Sequence, residues 1–598
     1  MNSLGLSFDF HDASAAVVRD SILLATSAEE RFTLQKHDAS FPSHAIATAL
    51  ESAQMSASDL DVVAFYERPT EKFTRVLHCA FEDFPRGNGR FVTSMKKWLG
   101  STLWTRNLIA SELGIKPSVV EFFSHHESHV AQAFSESPFE HAAVLIVDGV
   151  GEWACTTLAR VNRSGSIQII EQHEYPESIG LVYAAFTAFL GFKPNSGESS
   201  TMALAAFGRP RYVAEIEKVM RSNQDGTYSV DATYFDFLRE DDRLFTLKFI
   251  DLLGSPRSIK AAYPFDTLQD EQHGVSEDDQ RHADIAASLQ VVLTDILLGL
   301  CKRLRAACDE TALCFAGGVA LNCLANTELV KRSGFSNFFI PADPGDGGAA
   351  VGAAALAGGF KHASARSSPY LGAGYGETLA SDLLDPVFLQ RLATENHVAT
   401  VTPPDAIRME SLDQDRLVEE VTLDLSKGKI VAWVQGRSEC GQRALGNRSI
   451  LVDPSNLDAV RRMSRTIKSH TKFRPYALSI AIESATDVLD CAYTDEPVLR
   501  WMQTIWPVKA HLRDRLRAGL HFDGTTRPQL CSQADNPLYW KLLHSFASYS
   551  GLPVLLNTSY NERSMPMIGT SLGALATFLR TGVDTLVLGN WILRKAMA

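Results

Sequence analysis

The first part of the chain alternates short apolar runs with polar turns, which is the pattern of strands in an α/β protein. LGLSFDFHDASAAVV predicts two strands joined by a turn that carries Asp9, His11 and Asp12. VLIVDGVGEWACTTLARV repeats this arrangement, with Asp148 at the start of its turn. Two such hairpins with acidic turns predict an internally duplicated α/β fold.

Glycines follow two later apolar runs. LCFAGGVALNCLAN predicts a strand that ends at Gly317 and Gly318, and FFIPADPGDGGAAVGAAALAGG repeats the design with Asp346 before a helix of small residues. Such turns let a nucleotide approach the backbone and meet a helix N-terminus. Asp346 alone is better explained as a helix cap. Between the hairpins and these turns, the apolar spacing of ADIAASLQVVLTDILLGLCKRL predicts a core helix.

Two histidines suggest a metal site. VVEFF reads as a strand and SHHESHVAQAF as the helix after it, so His125 and His129 lie on one helical face. The positive helix end disfavours imidazolium and keeps both rings able to bind a metal. Asp148 supplies a carboxylate, and two nitrogens with one oxygen form a catalytic type of metal site. Solvated or packing histidines are the competing interpretation.

A basic cluster opens the second half of the chain. We expect one domain over 1–365, a polar connecting segment over 366–405 and a second α/β domain over 406–598. From 437 to 474 there are nine Lys and Arg residues against three acidic ones. Guanidinium groups beside glycines suit a phosphate or a carboxylate. The candidate residues are Arg443, Arg448, Lys468, Arg474, Arg527, Asn557, Asn561 and Arg563. A solvated surface charge run is the alternative.

Composition limits the classes of function. With 598 residues, the chain is too long for a single core. Its formal charge of -13 argues against general nucleic-acid binding. The nine cysteines are scattered without a CxxC pair, which fits a reducing compartment. The N-terminus lacks the features of a signal peptide, and AAVGAAALAGG is too short to span a membrane. We therefore expect a cytoplasmic protein that contacts neither nucleic acid nor membrane.

Nine motifs in order along the chain carry a resemblance to a known family. They are DFHDASAA, HHESHVAQAF, VDGVGEW, AGGVALN, PGDGGAAVGAA, GQRALGNRSILVDP, FRPYALS, DGTTRPQ and NTSYNE. Together they resemble the O-carbamoyltransferases of nodulation and of cephalosporin and aminoglycoside tailoring. The resemblance implies a duplicated actin-like or sugar-kinase-like first domain, similar to the tRNA threonylcarbamoyltransferase. The second domain would be similar to threonylcarbamoyl-adenylate synthase.

The resemblance also implies a two-step reaction. The second domain would make carbamoyl-adenylate from carbamoyl phosphate and ATP, with Mg²⁺ accompanying ATP. Arg443, Lys468, Arg474, Arg527, Asn561 and Arg563 would hold the phosphates and the carbamoyl group. In the first domain, the metal ligands would be His125, Asp148 and Asp346, with His129 as a fourth candidate. The metal would be Fe²⁺, although the ligand types also admit Mn²⁺ or Zn²⁺.

The remaining implied roles concern acyl transfer to a small hydroxylated acceptor. Gly149, Gly317, Gly318 and Asn322 would bind the nucleotide. His11 would be the general base, and its ordinary pKa would leave it largely neutral at pH 7. Asp9 or Asp12 would orient it. The segment from Arg68 to Leu113, with Trp98 and Trp104, is a candidate contributor to the acceptor site, and a homodimer is the assembly considered.

Several other functions fit the sequence less well. The HxxxH spacing lacks the Glu of a metalloprotease motif. A sugar kinase would leave the basic second domain without a role, and the acidic charge weighs against a tRNA threonylcarbamoyl enzyme. A non-catalytic nucleotide-binding protein would be expected to lose ligands and arginines that this chain retains. The chain departs from the family pattern at Gln442, Ser200 and Met565, which we interpret as subfamily variation.

Overall fold

The computed structural model forms two compact units. It describes residues 1–82, 92, 95, 96, 98–100, 102–237, 244–259, 261–269, 271–360, 368–375, 407–468, 472–492 and 497–595. The N-terminal unit comprises Met1–Ala25, Ala39–Pro42 and Ala49–Ser367. The C-terminal unit comprises Thr26–Asp38, Ser43–Thr48 and Ser368–Ala598. Most of the predicted connecting segment 366–405 lies outside the described residues.

Two five-stranded sheets form the framework of the first part of the chain. The first contains β1 (Asn2–Ser7), β2 (Ser14–Arg19), β3 (Ile22–Ala28), β4 (Val62–Phe65) and β5 (Val120–Phe122), in the order β3-β2-β1-β4-β5. The second contains β6 (His141–Val147), β7 (Ala154–Asn162), β8 (Ile167–Glu174), β11 (Ala312–Ala316) and β12 (Asn337–Phe339), in the order β12-β11-β6-β7-β8. Between them in sequence, β9 (Met220–Ser222) and β10 (Tyr228–Val230) form a small hairpin.

The two large sheets share one topology, which confirms the predicted duplication. Each begins with an antiparallel pair, β1 with β2 and β6 with β7. In each, the first strand then pairs in parallel with the fourth strand, and the fourth pairs in parallel with the fifth. The turns that carry His11 and Asp148 therefore occupy equivalent positions, at the end of the first strand of each sheet.

Helices alternate with these strands along the first part of the chain. They span Ser43–Ser52, Pro69–Glu82, Thr105–Leu113, His125–Ser135, Ile179–Phe189, Glu198–Ala205, Leu247–Leu253, Glu277–Ala307, Cys323–Arg332 and Asp346–Gly358, with single turns at Glu30–Thr33 and Val213–Ile216. The Glu277–Ala307 helix is long and apolar enough to cross a membrane, but 72% of its most apolar window is buried within the protein. It therefore packs as a core helix, as its apolar spacing predicts.

Small residues let the Asp346–Gly358 helix approach its neighbours closely. A Cβ atom added at Gly352 would lie 1.7 Å from the backbone oxygen of Ser128, on the His125–Ser135 helix. On the opposite side, a Cβ atom at Gly5 of β1 would lie 1.9 Å from the backbone oxygen of Ala350. The stripe of small residues thus brings the start of this helix against the helix that carries the two histidines.

We expect Gly352→Ala to destabilise the N-terminal unit by about 3 kcal/mol, because a backbone carbonyl cannot move aside for the added methyl group. Thermal unfolding of the full chain measures the loss. Gly100→Ala is the matched control, since a Cβ atom there meets nothing within 4 Å. An unchanged unfolding midpoint for Gly352→Ala would contradict the close helix packing.

The C-terminal unit is built on a mixed eight-stranded sheet. Its strands are β13 (Ile407–Ser411), β14 (Val431–Val434), β15 (Arg448–Val452), β16 (Ala477–Ala481), β19 (Pro528–Cys531), β20 (Val554–Ser559), β21 (Thr585–Leu588) and β22 (Trp591–Lys595). The order is β13-β22-β21-β14-β15-β20-β16-β19, and β17 (Trp506–Pro507) pairs with β18 (Thr525–Thr526) separately. Helices span Gln414–Ser426, Leu457–Met463, Pro537–Ser550 and Ser571–Arg580, with single turns at Ala485–Val488 and Arg513–Leu516 and a π-helical turn at Ser464–Lys468.

Both faces of this sheet are buried, because alternate residues of β14 pack in two different hydrophobic cores. Ala432 and Val434 pack in one core with the Leu457–Met463 and Ser571–Arg580 helices. Val431 and Trp433 pack in the other core with the Gln414–Ser426 and Pro537–Ser550 helices. A sheet with both faces covered by helices is the α/β arrangement that the sequence predicts for this half of the chain.

Candidate functional site

Four potential metal ligands form a buried cluster in the N-terminal unit. His125 and His129 lie one turn apart on the His125–Ser135 helix, Asp148 follows β6, and Asp346 is the first residue of its helix. The Nε2 atom of His125 lies 2.9 Å from Oδ2 of Asp148, and Nε2 of His129 lies 3.4 Å from Oδ1 of Asp346. One ligand atom from each residue lies within 4.8 Å of the others. This arrangement suits a divalent cation.

Two alternative interpretations, solvated histidines and a helix-capping Asp346, do not fit the structure. His125 and His129 are 3% and 0% exposed, so neither is a solvated surface histidine. Gly345 occupies the N-cap position of the Asp346–Gly358 helix, and the Asp346 carboxylate faces the histidines instead of capping the helix. His126, between the two histidines, has its Nδ1 atom 2.7 Å from Oγ1 of Thr157. Two of the three histidines of the motif therefore face the carboxylates.

A glutamine that the sequence did not single out orients His129. Its Oε1 atom lies 2.9 Å from Nδ1 of His129, so Gln132 accepts the Nδ1 proton and leaves Nε2 directed at the carboxylates. Although burial favours the neutral ring, hydrogen bonding and charge from Asp148 and Asp346 raise the pKa of His129 to about 10. These carboxylates therefore attract a positive charge strongly, whether it is a proton or a metal ion.

Asp148 is held in place by backbone as well as by the histidines. The N–H group of Gly318 donates to Oδ1 of Asp148 at 3.0 Å, which leaves Oδ2 for the histidines. Burial alone would raise the pKa of Asp148, but hydrogen bonds from His125 and His129 hold it well below its ordinary value. The pKa of Asp346 is also lowered, by His11, His125 and His129, against the effects of burial and of Asp148. Both carboxylates are thus ionised in this cluster.

His11 lies beside the cluster in the first hairpin turn. Asp9 and Asp12 flank it in the left-handed region, with φ of 81° and 54°, which Asp tolerates better than most residues. The Nδ1 atom of His11 lies 2.9 Å from Oδ2 of Asp12, and its Nε2 atom lies 3.8 Å from Oδ2 of Asp346. Asp9 accepts a hydrogen bond from Oγ1 of Thr102 at 2.8 Å. Of the two candidate orienting residues, Asp12 makes the contact with the imidazole.

The structure surrounds His11 with carboxylates that its predicted neutral state does not take into account. Burial by itself would lower the pKa of His11, but the charges of Asp346 and Asp12 and the hydrogen bond to Asp12 raise it to about 9. The ordinary pKa of imidazole applies to a ring without neighbouring carboxylates. Asp346 is distant from His11 in sequence, and only the tertiary fold brings the two side chains together.

Glu152 is a second buried residue whose role the sequence did not indicate. It is 5% exposed, and its carboxylate accepts the backbone N–H of His125 at 3.0 Å and that of Arg68 at 2.7 Å. A carboxylate at this position satisfies the first N–H group of the His125–Ser135 helix and complements its dipole. The only signal in the sequence was an acidic residue inside VDGVGEW.

The predicted nucleotide-binding residues lie around the same turns, in mainly structural contacts. Gly317 has φ of +88°, and a Cβ atom there would lie 2.4 Å from the backbone oxygen of Val147. The carbonyl of Gly149 accepts a hydrogen bond from Ser178. Asn322 caps the Cys323–Arg332 helix through Ala325 and exchanges hydrogen bonds with Gln290. These contacts explain why the residues are needed, and nucleotide binding by them stays a prediction.

A second candidate site, rich in cations, lies in the C-terminal unit. Lys468 is 5% exposed, while Arg474 and Arg527 are half-buried. Burial and Arg474 lower the pKa of Lys468 to about 7, and burial and Arg527 lower that of Arg474 to about 10. The three side chains are therefore close enough to repel one another, an arrangement that a bound anion stabilises.

The polar side chains near Lys468 orient it. Its Nζ atom donates to the backbone oxygen of Ser559 at 2.5 Å and to Oδ1 of Asn561 at 2.5 Å. The Nδ2 atom of Asn561 donates in turn to the backbone oxygen of Met565. The departure from the family pattern at Met565 therefore leaves this contact intact, because Met565 takes part in it only through its backbone oxygen.

The other predicted residues of this site differ in environment. The buried Asn557 donates from Nδ2 to the backbone oxygen of Ala444, to Ser479 and to Gln529, so it also supports the loop that carries Arg443. Arg443 is half-buried and Arg563 is exposed. The charges of Lys468, Arg474 and Arg527 thus lie close enough to affect one another, while Arg563 lies at the surface of the unit.

The structure gives Arg448 a supporting position, where the sequence predicts a phosphate-binding residue. Arg448 is the first residue of β15 and is 1% exposed, and it does not lie in the open loop. Its guanidinium donates to the backbone oxygens of Gln435, Gly436, Asn447 and Ala373. Glu439 supports the same loop by accepting the N–H groups of Leu445, Asn447 and Arg448 on one oxygen. Arg448 is therefore a positioning residue.

The remaining candidate residues differ in their exposure. Gln442 is exposed and Ser200 is buried in the first turn of the Glu198–Ala205 helix. In the candidate acceptor segment, Trp98 is buried and Trp104 is 57% exposed, while residues 83–91, 93, 94, 97 and 101 lie outside the described residues.

We expect anion binding at Lys468 to weaken as pH rises above 7. A bound anion favours the charged ammonium, so binding takes up a proton once the free side chain is neutral. The sulfate dissociation constant should increase about tenfold per pH unit between pH 7.5 and 9 and stay flat below pH 6.5. Calorimetric titration with sulfate, which does not itself titrate in this range, measures this.

Lys468→Met is the comparison for this measurement. It should bind sulfate more weakly than the wild type at pH 6.5 and show no such slope, because the titrating group is absent. A slope that persists in Lys468→Met would assign the proton to another residue.

Comparisons with known proteins cover almost the whole chain. The family model for the carbamoyltransferase N-terminus matches residues 2–355, and the model for the carbamoyltransferase C-terminus matches residues 422–595. The uncharacterized protein sll1178 of Synechocystis is 35% identical over 99% of this chain and 96% of its own. The nodulation protein NolNO of Sinorhizobium fredii is 31% identical over 100% of this chain and 81% of its own.

More distant matches include an enzyme and solved structures. The 3'-hydroxymethylcephem-O-carbamoyltransferase of Streptomyces clavuligerus is 26% identical over 92% of this chain and 91% of its own. HypF of T. kodakarensis is 14% identical, with a TM-score of 0.30 over 60% of this chain and 47% of its own. A hexokinase of Thermus thermophilus is 14% identical, with a TM-score of 0.28 over 60% of this chain and 98% of its own. On the two family models, which together span most of its length, this chain belongs to the carbamoyltransferase family.

Proposed function

We propose that this protein is an ATP-dependent O-carbamoyltransferase that uses its two units for two successive reactions. The C-terminal unit would convert carbamoyl phosphate and ATP to carbamoyl-adenylate, and the N-terminal unit would pass the carbamoyl group to a hydroxyl of a small molecule. The observation that carries the proposal is the pair of complementary sites: a buried His/Asp cluster in one unit and a cation cluster in the other.

The cation cluster suits the first reaction. Water would split carbamoyl phosphate to phosphate and carbamate, and a carbamate oxygen would attack the α-phosphorus of ATP and release pyrophosphate. The second step joins two anions, carbamate and ATP, that repel each other in solution. Lys468, Arg474 and Arg527 would hold these anions together and stabilise the charge that develops during phosphoryl transfer. We assign Arg443 and Asn561 to the same site, with Mg²⁺ accompanying ATP.

The His/Asp cluster fits a divalent cation. The Nε2 atom of His129 is fully buried and points at two ionised carboxylates, 3.6 Å from Oδ2 of Asp148 and 3.4 Å from Oδ1 of Asp346. His125, His129, Asp148 and Asp346 would hold the metal, which we propose is Fe²⁺; the nitrogen and oxygen ligands also suit Mn²⁺ and Zn²⁺. A bound cation would supply Lewis-acid stabilisation of negative charge on the carbonyl or on the departing phosphate.

His11 is the proposed base for the second reaction. The acceptor oxygen would form a bond to the carbamoyl carbon, the bond to AMP would break, and His11 would take the hydroxyl proton. Asp12, bonded to Nδ1, would hold the ring and stabilise the imidazolium that forms. Positive charge bound at Asp346 would offset the carboxylate that raises the pKa of His11, and would restore a neutral ring near pH 7.

The experiment that tests the proposal is nucleotide product analysis without acceptor. Purified protein would be incubated with ATP, Mg²⁺, an Fe²⁺ salt and carbamoyl phosphate. We expect pyrophosphate release that requires carbamoyl phosphate. ADP as the product, or pyrophosphate release independent of carbamoyl phosphate, would overturn the proposal. Screening of hydroxylated natural products would then test our assignment to small-molecule tailoring in the cytoplasm.

A further inference from the structure

A short stretch of the N-terminal sequence belongs to the C-terminal unit and carries a buried arginine. Thr26–Asp38 is part of that unit, and the N–H of Thr26 donates to the backbone oxygen of Leu371 at 2.9 Å. Arg31 lies in the Glu30–Thr33 turn and is 5% exposed. It lies within the residues matched by the N-terminal family model and outside those matched by the C-terminal model.

Arg31 packs against two loops of the C-terminal unit. Its Nη2 atom donates to the backbone oxygen of Gly441, two residues before Arg443. A Cβ atom added at Gly569 would lie 2.8 Å from Cβ of Arg31, so this turn also contacts the loop that follows Asn561. Arg31 therefore contacts the loop that carries Arg443 and the loop that carries Asn561, two of the candidate phosphate-binding residues.

One end of the Arg31 guanidinium has no hydrogen-bond partner among the described residues. Its Nη1 atom is fully buried and makes no hydrogen bond to any of them. A buried guanidinium without a counter-charge is costly, and an unmade hydrogen bond adds to the cost. Arg448 is near enough for the two like charges to interact, which increases this cost. An oxyanion placed against Nη1 would supply the counter-charge and accept the missing hydrogen bond.

We propose that Arg31 is an additional anion-binding residue of the C-terminal unit, and that Nη1 receives an oxygen of a phosphate group. The contact to Gly441 holds the guanidinium in position, so its remaining donors are pre-organised. The identity of the anion as a phosphate of carbamoyl phosphate or ATP rests on the proposed function. The binding of an oxyanion by Arg31 does not depend on the proposed function.

Sulfate titration of the full chain tests this proposal at pH 6.5, where Lys468 is charged. We expect Arg31→Gln to raise the sulfate dissociation constant at least tenfold. Arg31→Lys keeps the charge but loses the forked donor, and should raise it about threefold. The matched control is Arg461→Gln, since Arg461 is 54% exposed and pairs only with Asp458 across one helical turn. The control should bind sulfate as the wild type does.

The outcomes separate anion binding from a structural tether. A sulfate dissociation constant within twofold of the wild type in Arg31→Gln would overturn the proposal, whatever happens to its unfolding temperature. Should Arg31→Gln fail to fold, Arg31→Lys decides: weaker binding at an unchanged unfolding temperature supports the proposal, and wild-type binding overturns it. A sulfate ion that binds the wild type without any contribution from Arg31 is adventitious for this purpose.

The same variants distinguish this proposal from the proposed function. Wild-type protein that releases no pyrophosphate with carbamoyl phosphate would refute the carbamoyl-adenylate scheme, yet sulfate binding could still depend on Arg31. If the scheme holds, Arg31→Lys should raise the KM for carbamoyl phosphate or ATP more than it lowers kcat. A residue that only tethers the loop would not produce that split.

Discussion

Replacing Asp148 with Asn should abolish carbamoyl transfer while leaving pyrophosphate formation within about twofold of the wild-type rate. Asn retains the shape of Asp148 and can still accept the hydrogen bond from Gly318. It removes the negative charge of the Asp148 carboxylate, whose Oδ2 atom lies 2.9 Å from Nε2 of His125. A divalent cation in the cluster would lose one of its two carboxylates, and we expect transfer to fall about a thousandfold, or about 4 kcal/mol.

Two assays are needed to interpret this variant. One follows carbamoyl-dependent pyrophosphate release without acceptor, and the other follows formation of the carbamoylated product. Asp295→Asn is a suitable control, because Asp295 is an exposed acidic residue of the same unit. If Asp148→Asn lost pyrophosphate formation together with transfer, the assignment of the two reactions to separate sites would be wrong.

Replacing Arg527 with Ala should have the opposite pattern and stop the first reaction. Arg527 is near enough to Arg474 to lower its pKa, and Arg474 in turn lowers that of Lys468. Truncation therefore removes one of three convergent cations from the proposed phosphate site. We expect carbamoyl-dependent pyrophosphate release to fall at least about a hundredfold, because a charge-assisted contact to a transferring phosphoryl group is lost.

The control and the metal content sharpen this second prediction. Arg461→Ala removes an exposed arginine from the same unit and should leave the rate unchanged. Metal bound by the Arg527→Ala protein should equal that of the wild type, since His125, His129, Asp148 and Asp346 belong to the other unit. Turnover of carbamoyl phosphate at the wild-type rate would show that the C-terminal site has been placed on the wrong residues.

Much of the framework was predictable from local patterns. Alternating apolar residues in VLIVDGVGEWACTTLARV predict a hairpin, and the structure has one, because a strand with one polar turn has few other ways to bury its side chains. The His125–Ser135 helix begins where its motif predicts, with both histidines on one face. The recurrence of hairpins with acidic turns was enough to indicate duplication, and the two equal strand orders confirm it.

Local patterns are not sufficient where a side chain's environment comes from distant parts of the chain. Asp346 reads as a helix cap in isolation, but the close approach at Gly352 brings its helix against the histidines. Arg448 reads as a phosphate ligand beside a glycine, but pairing within β15 buries it among backbone carbonyls. Arg31 carried no signal at all, because its segment is separated in sequence from most of the C-terminal unit by more than three hundred positions.

The duplicated α/β framework, the second α/β unit and the family were predictable from the sequence, because strand alternation, helical periodicity and ordered motifs are properties of consecutive residues. Which charges meet depends on the folded chain. The fold brought Asp346 to His11 and so raised the pKa of that imidazole, gave Arg448 a structural role, and placed Arg31 in the C-terminal unit. Electrostatic interactions depend on distance through space and on burial, and neither is encoded in the spacing of residues along the chain.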